Sequence, residues 1–158
     1  APDPAEWGAR DAATNEWLRE TFAVAKRRES AGVMLIAQGN PGFDQADPTR
    51  APVRDPATLE PEDGFTNFLR ALRQETIDFA RPVVLVHGDS HYFRVDKPLL
   101  DAAGNRIQTF TRAETPGDNA QSQNNDVQWL SVEVDPRDPE VFAFKQEVVP
   151  ANPVAYRP

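Results

Sequence analysis

Pro82-Val83-Val84-Leu85-Val86-His87-Gly88-Asp89-Ser90-His91-Tyr92-Phe93 is an apolar run that ends abruptly in a polar cluster holding both histidines of the chain. Consecutive aliphatic residues between a proline and a glycine-containing turn predict a strand buried on both faces. In an open α/β sheet, ligands and chemistry collect just beyond the carboxyl ends of such strands. His87, Asp89 and His91 fall at that place, and all three can bind a divalent metal or move protons. Gly88 permits a sharp turn as the strand ends. Asp89 and His91 are two positions apart, so in extended geometry they project from one side. A carboxylate and an imidazole converging there suit Mn²⁺, Fe or Zn²⁺. The plainer reading is that the histidines cap strand ends and bond loop carbonyls. Ser90 is near enough to raise a Ser-His-Asp triad, but adjacent positions orient badly for one, and no Gly-x-Ser-x-Gly elbow is present. The Walker A loop and Gly-x-Gly-x-x-Gly are also missing, which removes the common nucleotide folds.

Working upstream, Asn67 to Phe79 carries Phe68, Leu69, Leu72, Thr76 and Phe79 at three- and four-residue spacing, and the stripe, with Phe65 before it, predicts a helix over 65–79. Arg81-Pro82 ends it. Residues 38–64 carry Pro41, Pro48, Pro52, Pro56 and Pro61 and read as a long connection, either a surface excursion or an active-site flap. Before it, Val33-Met34-Leu35-Ile36-Ala37 predicts a second buried strand. A helix is expected from near Asp11 or Thr14 to about Ser30, with Trp17, Leu18, Phe22 and Ala25 on its inner face and Gly32 closing it. Residues 1–10 hold two prolines and a glycine and read as an extended lead-in.

Downstream, Tyr92-Phe93-Arg94-Val95 is β-prone, Asp101-Ala102-Ala103-Gly104-Asn105 is turn material, and residues 107–114 alternate weakly. Residues 116–126 are polar and loop-like. Residues 127–134 predict a strand with Leu130, Val132 and Val134 on one face and Trp129 on the other. A turn at 135–139 leads to a last strand with Phe142 and Phe144 on one face, and residues 150–158 form an extended tail. The fold class expected is therefore α/β or α+β in one domain over 1–158. A helix and strand portion (11–91) ends in the metal-type loop, and a β-rich portion (92–149) extends the sheet or packs a second sheet on it. Two parallel strands cannot bury both faces alone. Further sheet is expected from an N-terminal portion absent from the chain, or from a second copy through the exposed edge. The chain begins at Ala1, not Met, which suits a processed product or a piece of something longer.

Composition narrows the partners. The 25 acidic and 17 basic residues give a net charge of −8, the wrong sign for a nucleic-acid backbone or an anionic membrane. No apolar run approaches the roughly 20 residues of a membrane span, and no signal segment opens the chain. Cysteine is absent, which excludes disulfides and thiolate zinc sites and leaves the compartment open. The chain reads as soluble, and export to a periplasm is open to its parent.

Two blocks resemble a known family. The apolar strand followed by Gly88-Asp89-Ser90-His91 and a β-rich continuation is similar to the last motif of calcineurin-like metallophosphoesterases, in which the strand ends in Gly-His-x-His. Asn15-Glu16-Trp17-Leu18-Arg19-Glu20-Thr21-Phe22, then Val33-Met34-Leu35-Ile36-Ala37-Gln38-Gly39-Asn40-Pro41, is similar to the family's block of helix, apolar strand and metal-binding histidine. The resemblance covers residues 11–135. It implies a four-layered α/β/β/α sandwich and hydrolysis of a phosphoester by water activated at two divalent metals. It also implies a metal ligand at His91 and a substituted ligand at Asp89. Gln38 stands in place of a histidine, His87 could swing in as a substitute, and Asn40, Ser90 and Tyr92 would lie on the substrate side of the loop. The family's earlier motifs (Asp-x-His, Gly-Asp-x-x-Asp and Gly-Asn-His-Asp/Glu) have no counterpart before this block. The expectation is thus the C-terminal portion of such an enzyme, inactive alone, with a phosphoester as the parent's substrate. The alternative is a non-catalytic scaffold with a degraded second metal site.

Overall fold

Helix α1 (Pro4–Arg27) starts at Pro4, well before the expected Asp11 or Thr14. Proline is tolerated in a first helical turn because the missing N–H has no intrahelical acceptor there. Asp3 caps that turn, its Oδ1 accepting from the backbone N–H of Ala5 at 3.0 Å and of Glu6 at 3.1 Å. The computed structural model in which this is seen describes residues 3–43, 54–58, 64–117 and 127–151. Most of the proline-rich connection, most of the 116–126 loop and nearly all of the tail therefore lie outside the described residues. Leu18, Phe22 and Ala25 are buried as expected, but Trp17 is 61% exposed. The α1 terminus is closed by Glu29 at φ 54°, with Ser30 N–H donating to Ala25 O at 3.0 Å. Gly32 therefore does not serve as the cap. Its role is space: a Cβ there would lie 2.7 Å from Phe142 Cε2 and 2.9 Å from Pro82 O.

The other elements are β1 (Val33–Ile36), α2 (Thr66–Phe79), β2 (Val83–His87), β3 (Arg94–Asp96), β4 (Phe110–Glu114), β5 (Gln128–Val134) and β6 (Phe142–Val148), with a short 3₁₀ turn at Pro56–Thr58. The main sheet has the order β1-β2-β4-β3. β2 pairs with β1 and with β4 in parallel, and β3 pairs with β4 antiparallel. The pattern predicts two parallel strands; the sheet has three. β4 is hard to see in sequence because Arg112 and Glu114 interrupt its apolar positions, yet both are fully buried. β5 and β6 form a separate antiparallel pair.

The layers follow from which side chains meet. Leu18 and Phe22 of α1, Leu69, Leu72 and Phe79 of α2, and Val33, Leu35, Val83, Leu85 and Phe110 of the sheet form one core. Phe22 and Phe79 touch edge to face, with ring centroids 5.7 Å apart. Val84, Val86 and Ala113 on the opposite face pack against Leu130, Phe142 and Phe144 of the hairpin, with Met34. Helices thus cover one face of the sheet and the β5–β6 hairpin covers the other. β3 extends the first sheet while β5 and β6 form a second one. All five residues of β2 are buried. Each aliphatic side chain so enclosed contributes about 1.5–3 kcal/mol, which makes β2 the centre of the molecule. β1 departs from expectation. Its Val33 and Leu35 are buried, but Met34 is only half-buried and Ile36 is 76% exposed. It is an edge strand with one covered face.

Candidate functional site

Three parallel strands end side by side, and their loops meet. After β1 the chain stays beside β2, with Ala37 N–H donating to Val86 O at 3.0 Å. Gly88 N–H then donates to Gln38 O at 3.2 Å. Asn40 completes the joint: its backbone N–H donates to Asp89 Oδ2 at 3.2 Å and its Nδ2 to Ser90 Oγ at 2.5 Å. Asn40 Oδ1 accepts from Gly42 N–H at 2.9 Å, which folds the post-β1 chain into a local turn. On the other side, Thr115 N–H after β4 donates to His87 O at 2.8 Å, and Gly117 N–H to His91 O at 3.4 Å. The 88–91 loop is therefore held between two neighbours from distant parts of the chain.

Within that loop Asp89 and His91 do not adopt the extended geometry expected of them. Asp89 has φ 81° and His91 φ 67°, a left-handed region that costs side-chain-bearing residues energy and is overrepresented at functional sites. The cause is the turn itself, which must reverse direction within a few residues while bonded on both sides. Asp89, His91 and Tyr92 are exposed, as is Gln38, while Asn40 and Ser90 are half-buried. Ser90 Oγ accepts from the Asn40 side-chain amide.

His87 is placed differently. It shares the helix-side face of β2 with Val83 and Leu85, is 1% exposed, and its ring lies 6.5 Å from that of Phe43. Its Nδ1 lies 2.9 Å from Gly88 O, so one tautomer closes a local hydrogen bond. His87 thus sits beneath the loop rather than in it.

Beneath the loop also lies a group of charges that pattern reading passed over. Arg112, with no exposed surface, grips Asp96 with a two-point contact, Nε to Oδ1 at 2.7 Å and Nη2 to Oδ2 at 2.5 Å. Its Nη1 is 4.0 Å from Glu114 Oε2, and Arg94 Nε is 3.5 Å from the same oxygen. The Arg112 guanidinium also stands over the Phe43 ring, 5.4 Å from its centroid. Two rows across the sheet account for the arrangement: Leu85, Arg112 and Asp96 are in register, as are His87, Glu114 and Arg94. A buried charge is tolerated only when paired, and here signs alternate through four side chains. The signal was present in sequence as Arg94-x-Asp96 and Arg112-x-Glu114, complementary charges at strand spacing. The network anchors the end of β4, from which Thr115 and Gly117 reach the loop.

The chemistry open to the exposed groups is that of one carboxylate, one imidazole, and neutral amides and hydroxyls. Among the described residues, no three His, Cys, Asp or Glu side chains gather closely enough to hold a metal ion. No helix among the described residues is long and apolar enough to cross a membrane. Comparison with protein-family models, with curated proteins and with solved structures gives no match for this chain.

Proposed function

We propose that this chain is the C-terminal portion of a calcineurin-like metallophosphoesterase whose α/β/β/α sandwich is completed by chain outside these residues. One observation carries the reading. The two segments that resemble the family, the end of β1 and the end of β2, are joined at one place by the bonds from Gly88 to Gln38 and from Asn40 to Asp89 and Ser90. The half-covered β1 edge, with Ile36 76% exposed, is consistent with further sheet beside it. His91 and Asp89 would be ligands contributed to a centre built mostly elsewhere, with Asn40, Ser90 and Tyr92 on the substrate side. A divalent ion bound there would activate water and neutralise phosphoryl oxygens. The chain's own residues hold the loop and present its imidazole and carboxylate.

The test is metal binding by the isolated chain. Mn²⁺ titrated into the isotope-labelled protein is expected to broaden the His91 and Asp89 resonances selectively and weakly. His91→Ala is expected to abolish the effect, and the chain alone is expected to leave 4-nitrophenyl phosphate intact. Hydrolysis at an enzyme-like rate by these 158 residues would refute the partial-centre reading. A second reading, a scaffold that has lost its metal, is favoured by the neutral amide of Gln38 and by the engagement of Asp89 Oδ2 with Asn40. Absence of selective broadening at His91 decides for it.

A further inference from the structure

Next to the joined loops lies an open-mouthed pocket of about 360 Å³, bordered by the N-terminal half of α1, the start of α2 and the segment after β1. Trp7, Pro41, Phe65, Phe68 and Leu85 make its apolar wall. Gly39 forms one side, and a Cβ there would come within 3.3 Å of Phe65 Cζ. A side chain at this position would therefore press on the aromatic wall. Two charged groups at the rim are engaged within the chain. Asp11 accepts from Asn15 Nδ2 at 3.0 Å and from Asn67 Nδ2 at 2.7 Å, and Arg10 Nε lies 3.4 Å from Glu6 Oε1. An occupant therefore meets aromatic and aliphatic surface and gains little from carrying charge. The volume falls in the range of small-molecule pockets, roughly 300–1,000 Å³. The place is also the expected one. Gly39 adjoins Asn40, which bonds Asp89, and ligands of open sheets lie beyond the strand carboxyl ends.

We infer that this cavity binds a flat apolar group, of the size of one or two aromatic rings, on the alcohol side of the phosphoester. The inference rests on the phosphoesterase reading for the phosphate and on the cavity alone for the ring. The preferred substrates are then aryl or similarly apolar monoesters or diesters rather than esters of sugars.

The experiment uses the intact, ¹⁵N-labelled chain and three probes: phenol, phenyl phosphate and inorganic phosphate. The Trp7 indole N–H and the Gly39 and Gly64 amides are expected to shift saturably with phenol and with phenyl phosphate, and to stay fixed with inorganic phosphate. Thr14 is an exposed wall residue on α1, so Thr14→Phe fills the cavity without entering the core and should weaken phenol binding by about tenfold or more. His91→Ala should leave phenol binding unchanged. A Trp7 signal indifferent to millimolar phenol overturns the inference, as does full binding by Thr14→Phe. Phenol binding without Mn²⁺ binding at His91 would sink the phosphoesterase reading and leave the ring site standing. Mn²⁺ binding without phenol binding would do the reverse.

Discussion

A Cβ on Gly117 would lie 2.6 Å from His91 Cδ2 and 2.8 Å from Cγ, closer than non-bonded carbons approach. The glycine is therefore the surface on which the imidazole rests. Gly117→Ala is expected to turn the ring away and shift its resonances, and to reduce Mn²⁺ broadening at His91 several-fold. The stability loss should be modest, about 1 kcal/mol, because the loop and not the core gives way. Unchanged His91 resonances in the variant would show that the contact does not position the ring. At this scale the sequence pointed to Asp89 and His91 as strand-end groups, because an apolar run stopping at a glycine is a local signal. It set His87 apart from them as a structural residue with at most a substitute's part in metal binding. Alternation alone does not separate the three, which share parity; the left-handed turn at Asp89 and His91 and the burial of His87 against Phe43 do. Arg112 and Glu114 were missed. Charge normally means exposure, and their burial depends on partners that lie on β3.

Turns and element ends carry their own chemistry. Between β5 and β6, Arg137 grips Asp135, Nε to Oδ1 at 3.0 Å and Nη2 to Oδ2 at 3.1 Å, and its backbone N–H adds a third bond. The Arg137 side chain first, and its N–H second, hold the Asp135 carboxyl below its ordinary value of 3.8. A carboxyl depressed in the folded state contributes stability that is full above the unfolded value. That contribution shrinks as pH falls below 3.8 and is gone once the pH has passed through the lower folded value. The Arg137 and Val141 amide shifts should therefore titrate with a midpoint below 3.8, and Asp135→Asn should remove the titration. A midpoint at the ordinary value would mean that the grip does not persist in solution. Helices and strands were mostly legible from periodicity, including both helices, β1, β2 and β5. The start of α1 was not, since two early prolines read as helix breakers until Asp3 is seen capping the first turn. β6 runs further than its apolar residues suggest, because pairing with β5 carries Lys145, Gln146 and Glu147 along.

The molecule as a whole is covered unevenly. Helices shield one face of the sheet and a two-stranded hairpin the other, while β1 ends the sheet with Ile36 76% exposed, and Val134 of the hairpin is 54% exposed. An apolar edge of this kind is a template for pairing. The isolated chain is expected to self-associate as concentration rises, and Ile36→Lys to hold it monomeric in light scattering. Equal association by both proteins would remove β1 from the contact. The sequence by itself determined both helices and most of the strands as elements, the apolar stripe of α2, and that a strand-end loop carries titratable groups. Those are properties of neighbours in the chain, written as period and punctuation. Only the tertiary structure decided that β4 runs parallel to β2, that the chain after β1 and after β4 clamps the 88–91 loop, and that Arg112 and Glu114 are buried under it against the half-buried Asp96 and Arg94. Each of those depends on register between residues tens of positions apart, which is set by the packing of the whole core and has no local signature.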